Sequence, residues 1–76
     1  MFTYNIAKQA DEKTFRGICE QIEEGIKNVE RKNLLEDVDG TQIQLYMIHG
    51  KEIKVVNDVE VDAVYIDSEM DLKEIL

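Results

Sequence analysis

Between residues 11 and 32 the apolar positions recur with helical spacing. At 100° per residue, Phe15, Ile18, Cys19, Ile22, Ile26 and Val29 fall on one stripe, and Glu12, Arg16, Glu20, Glu23, Lys27, Glu30 and Arg31 lie opposite. The spacing predicts one amphipathic helix over 11–32, with Asp11 as its N-cap and Arg31 and Lys32 at the negative end of its dipole. Gly25 borders the stripe, where a missing side chain suits close approach by a strand backbone. Gly17 faces solvent and has no evident role. Cys19 sits within the stripe and reads as a core residue rather than a nucleophile.

Beyond the turn signal Asp39-Gly40 the period changes to two. TQIQLYMI aligns Ile43, Leu45 and Met47, KEIKVV aligns Ile53 and Val55, and VEVDAVYI aligns Val59, Val61, Ala63 and Tyr65. His49-Gly50 reads as a hairpin turn. All the aligned apolar positions are odd-numbered, so a meander that buries them together needs odd-length loops. A loop around Asn57 then sets Val55 against Val59, Ile53 against Val61 and Lys54 against Glu60. On this reading Glu60 and Asp62 form the wet side of the third strand. Tyr46, Ile48, Val64 and Ile66 also fall on that outer side, as an apolar patch that needs a cover. The cover is either the C-terminal tail or a partner, most simply a second copy of the chain. Ser68 and Asp71 resemble a capping box opening a short final helix with Leu72, Ile75 and Leu76. Phe2, Tyr4 and Ile6 alternate as a candidate N-terminal strand.

The expected fold is thus α+β in one domain, 1–76. One amphipathic helix packs on a three-stranded antiparallel meander, a fourth N-terminal strand is a candidate addition, and a short C-terminal helix closes the chain. Without the first strand, the order resembles that of double-stranded-RNA-binding domains. The lysine cluster opening that family's last helix is here SEMDLKEI, a charge of the wrong sign for RNA.

Charge sharpens this picture. The net charge of −8 lies wholly in residues 33–76, where eleven acids face Lys51, Lys54 and Lys73. Direct binding to nucleic acid or an anionic membrane is disfavoured, and a protein partner with a basic surface is the natural counterpart. Asp58, Glu60, Asp62, Asp67, Glu69 and Asp71 make a candidate acidic binding face, spaced like a row of phosphates. By analogy, small phage-encoded inhibitors of DNA-handling enzymes are acidic α+β domains of this size. One function reading is therefore an inhibitor or regulator that mimics nucleic acid. The other is a homodimeric structural or assembly module whose acids only keep it soluble.

Other chemistries find no support. Asp67, Glu69 and Asp71 begin like a calcium loop, but Leu72 stands where its glycine belongs and the chain ends before a twelfth-position glutamate. His49 and Cys19 are the only residues of their types, so zinc and hydrolytic sites lack parts. The reading is a non-enzymatic protein without metal or cofactor. The lone cysteine and the lack of a signal or apolar span suggest a reducing, cytoplasmic setting.

Overall fold

The computed structural model describes residues 1–76. Strand β1 (Phe2–Ala7) leads to helix α1 (Glu12–Gly25), followed by β2 (Glu30–Glu36), β3 (Gln42–Ile48), β4 (Lys51–Asp58) and β5 (Ala63–Ser68). The strands form one five-stranded antiparallel sheet in the order β1-β5-β4-β3-β2. A meander runs from β2 to β5, β1 adds to the outer side of β5, and α1 crosses one face between the two edges. The architecture is α+β with five strands and one helix. The expected three-stranded meander with a second, C-terminal helix is corrected on both counts.

The helix begins where the sequence predicts. Asp11 is extended and its carboxylate accepts hydrogen bonds from the Thr14 amide (3.2 Å) and hydroxyl (2.6 Å). The Thr14 hydroxyl bond holds the Asp11 pKa below its ordinary value. The helix stops at Gly25 rather than residue 32. Ile26 is already extended and Asn28 takes a left-handed φ of 63°, which turns the chain into β2. Ile26 is nevertheless buried and Val29 packs on the core, so the apolar stripe keeps its phase to Val29 although the backbone beneath its last third is not helical. β2 escapes sequence reading because all seven of its residues are exposed and show no alternation. It is an edge strand carrying charges and a bulge between Arg31 and Leu34, two devices that discourage pairing with another chain.

Register is the larger correction. His49 (φ 50°) and Gly50 (φ 76°) form a two-residue turn with both residues left-handed, so Ile48 pairs with Lys51 and every odd residue of β3 faces an even one of β4. The next loop, Val59 to Asp62, also contains an even number of residues and pairs Asp58 with Ala63. Val59, Glu60, Val61 and Asp62 therefore lie in a turn and not in a strand, Val55 meets Ile66, and Lys54 meets Asp67. The helix side of the sheet carries Gln42, Gln44, Tyr46 and Ile48 from β3, Ile53, Val55 and Asn57 from β4, and Val64, Ile66 and Ser68 from β5. Tyr46, Ile48, Val64 and Ile66, expected as an outer patch, are core residues between 0% and 8% exposed.

These side chains pack against Phe15, Ile18, Cys19 and Ile22 of α1 and against Ile26. The tail completes the core, with Leu72 fully buried and Met70 and Ile75 packed against it. No helix forms there. Ser68 Oγ accepts from the Met70 amide at 3.0 Å and Asp71 accepts from the Lys73 amide at 2.9 Å, closing successive tight turns. A segment this short cannot offset the cost of helix nucleation. The acceptor role toward Lys73, with the Tyr4 hydroxyl second, holds the Asp71 pKa below its ordinary value.

The tail also explains Gly25. A Cβ there would stand 2.7 Å from Ile75 Cγ2, so the close approach is made by the tail and not by a strand. Around Gly17 nothing lies within 4 Å. Gly17→Ala is accordingly expected to stabilise the protein by about 0.5–1 kcal/mol in urea unfolding. Gly25→Ala should gain less because it displaces Ile75, and adding Ile75→Ala should restore the helix-propensity gain of the Gly25→Ala change.

Candidate functional site

The six acids of the expected binding face fall into two groups. Asp58 ends β4 and Glu60 and Asp62 belong to the β4–β5 turn, whereas Asp67, Glu69 and Asp71 follow at the other end of β5, about 17 Å away at strand rise. Five of them accept hydrogen bonds that hold local structure. Asp58 accepts from the amides of Glu60 (3.0 Å) and Val61 (3.2 Å) and from the Tyr65 hydroxyl (3.3 Å). Asp62, at φ 58°, accepts from the Ala10 amide at 2.7 Å and ties the β1–α1 loop to the turn. Asp67 accepts from Thr3 Oγ1 at 2.9 Å, and Glu69 from the Glu52 amide at 2.7 Å. Asp71 accepts from the Tyr4 hydroxyl at 2.8 Å, and that hydroxyl in turn accepts from the Leu72 amide. Glu60 is exposed in the turn.

The other face of the sheet has no covering element. It presents Leu35 from β2, Ile43, Leu45 and Met47 from β3, Val56 from β4, and Ala63 and Tyr65 from β5. Leu35, Ile43, Val56 and Tyr65 form one cross-strand row, since each pairs with the next. Ile43, Leu45 and Met47 extend the row along β3 for about 13 Å. Val56 is 3% exposed, Leu35 is 50% exposed, and the remainder are half-buried. On β3 the common arrangement is inverted: the amides of Gln42 and Gln44 point toward the helix and the aliphatic side chains point away from it.

Charged residues stand around this apolar area. Glu52 and Asp58 lie at opposite ends of β4, Asp67 faces Lys54, and Glu30 is paired with Lys32 at 2.8 Å. Two hollows open at either end of β3. One, of about 480 Å³, is lined by residues including Glu30, Met47, His49 and Glu52. The second, of about 260 Å³, is lined by Leu35, Glu36, Asp37, Thr41 and Ile43.

Each inward amide side chain has a partner. Asn57 accepts from the Asp11 amide (2.9 Å) and donates to Gln42 Oε1 (3.1 Å), which joins the helix N-terminus to the sheet. Gln44 donates to the Lys32 carbonyl at 2.6 Å, satisfying a backbone group inside the β2 bulge, and accepts from Arg31 Nε at 3.3 Å. No buried side-chain nitrogen or oxygen lacks a partner.

Beside them, the Tyr46 hydroxyl lies 2.5 Å from Glu23 Oε2 and 3.4 Å from the Cys19 carbonyl, so its single proton goes to the carboxylate. Burial, then the Glu23 contact, pushes the Tyr46 phenol well above its ordinary value of 10.0. Burial likewise raises the Cys19 thiol, the opposite of what a nucleophilic thiolate requires. His49 is exposed in its turn. No three His, Cys, Asp or Glu side chains converge as metal ligands, and no helix is long and apolar enough to cross a membrane.

No protein-family model, curated protein or solved structure matches the chain. The candidate site therefore rests on geometry alone. It is the open sheet face, whose residues sequence parity assigned to the core. One signal could have located it: a two-residue His49-Gly50 turn is even in length and pairs odd positions with even ones.

Tyr46 yields a pH prediction. A phenol whose folded pKa exceeds its unfolded value adds stability that is complete below about pH 10 and falls as the unfolded chain ionises above it, at up to about 1.4 kcal/mol per pH unit. Tyr46→Phe should make alkaline unfolding less steep, leaving the smaller contributions of Tyr4 and Tyr65, whose phenols burial also raises. At pH 7 the same change should cost about 0.5–1.5 kcal/mol in urea unfolding, because exposed Glu23 keeps its water.

Proposed function

We propose that this chain is a small non-enzymatic protein-binding domain that docks through the open face of its sheet. The observation that carries this reading is the inverted β3, with Ile43, Leu45 and Met47 facing away from the only helix. An antiparallel sheet exposed to water on one side is ordinarily polar there. An apolar area rimmed by charge is the usual form of a protein-interaction surface.

The acids fit the reading in a supporting capacity. A net charge of −8 keeps an apolar face soluble and favours partners of opposite sign over nucleic acid or anionic lipid. Mimicry of a phosphate row has less in its favour, because the six acids fall into two separated groups and five accept local hydrogen bonds. The hollows are shallow and lack a nucleophile beside a base, which supports a binding role over a catalytic one.

The test compares two pairs of substitutions in affinity capture from host extract, quantified by mass spectrometry. Leu45→Ser with Met47→Ser should weaken retention of the bound protein by about tenfold or more, with an unchanged circular dichroism spectrum. Val38→Ser with Val61→Ser removes apolar surface from loops and should leave retention as in the wild type. Identical retention by wild type and the Leu45/Met47 variant would overturn the assignment of this face.

A further inference from the structure

Resting on the assignment of the open face as a docking surface, we infer that its occupant is an amphipathic helix with an apolar stripe and lysine or arginine at both ends, lying along β3 and β4. Three features define this occupant.

The first is backbone chemistry. The apolar area lies over β3 and β4, interior strands whose main-chain groups are already paired within the sheet. An extended segment laid across them would leave its own amides and carbonyls against hydrocarbon without partners. A helix satisfies its backbone internally and buries only its side chains.

The second is charge. Lys32 offsets Glu30, leaving Glu52, Asp58 and Asp67 against Lys54 on this face. A second copy would bring the same excess of acids face to face with it. A nucleic acid or anionic membrane would meet like charge as well. Basic side chains on the occupant meet opposite charge.

The third is length. Glu52 and Asp58 bracket the apolar area from the two ends of β4, six residues and so about 20 Å apart. A helix of about 14 residues spans that distance, with roughly two turns of apolar stripe over Ile43, Leu45 and Met47 and its bases near the bracketing acids. The bound helix would form a third layer on the side of the sheet opposite α1.

The experiment uses the whole chain and a fluorescein-labelled synthetic helix of about 16 residues, with leucines at i, i+3, i+4 and i+7 and lysines at both ends, read by fluorescence anisotropy. A twin probe carries glutamate in place of each lysine. The lysine probe should bind the wild type, more weakly as salt rises, and the glutamate probe should bind at least about tenfold less tightly. Leu45→Ser with Met47→Ser should weaken the lysine probe about tenfold or more. Glu52→Gln with Asp67→Asn should weaken it several-fold, whereas Glu20→Gln with Glu24→Gln, the same change in net charge on the outer side of α1, should change it less than about twofold.

Equal losses from the two neutralised pairs would reduce the effect to bulk charge and overturn the inference, as would equal binding of both probes or failure of the lysine probe to bind. Light scattering separates that failure from failure of the broader reading. Self-association of the wild type, abolished by the Leu45/Met47 change, would assign the face to a second copy and retain it as a docking surface. Indifference of probe binding, self-association and extract capture to that change would remove both.

Discussion

The fold depends on the two-residue turn at His49-Gly50 and on the charges that its register assigns to one side of the sheet. Both turn residues are left-handed, a conformation that glycine adopts freely and that matches the twist of the flanking strands. Once Ile48 meets Lys51, the helix can cover one of only two sets of side chains. One contains Gln42, Gln44 and Asn57 among aliphatic residues; the other places Glu52, Lys54, Asp58 and Asp67 beside Ile43, Leu45 and Met47. Burying charge costs far more than burying amides that find partners. The amide-bearing side therefore goes inward although β3 alone favours the reverse.

That choice makes the buried amides structural. Asn57 links Gln42 to the amide of the helix-capping residue Asp11, and Gln44 closes the carbonyl opened by the β2 bulge. With two glutamines taking core positions on β3, the tail makes up apolar volume: Leu72 is fully buried and Ile75 sits against Gly25. A chain this small has little core to spare. Residues after β5 thus act as part of the hydrophobic layer, although they form no regular element.

Legibility in the sequence followed the range of each interaction. Asp11, the phase of Phe15 to Ile26 and the alternation of Phe2, Tyr4 and Ile6 are local signals, and the structure contains each of them. Periodicity overstates the length of the helix because Ile26 and Val29 stay in phase with it while belonging to a different backbone. β2 had no signal, being exposed on both faces, and the tail helix failed because two local caps do not nucleate so short a segment. Odd-residue parity alone assigns the two faces of the sheet the wrong way round. The alternation of β3 is real, but it describes an uncovered surface. The turn and the charges of β4 and β5 decide which side is covered, and neither lies within β3.

The same distinction separates the amount of charge from its position. Eleven acids in residues 33–76 suggest a concentrated surface, yet folding distributes the six at issue between the two ends of β5. Most become acceptors for nearby amides and hydroxyls, as short polar side chains do at turns. What remains over the open face is a small excess of acids around hydrocarbon. Nothing in the packing of α1 requires Ile43, Leu45, Met47 or Leu35 to be apolar, since threonine or lysine would serve a solvent-facing strand equally well. Apolar side chains on that face, with a small excess of acids around them, are the arrangement on which the proposed docking role rests.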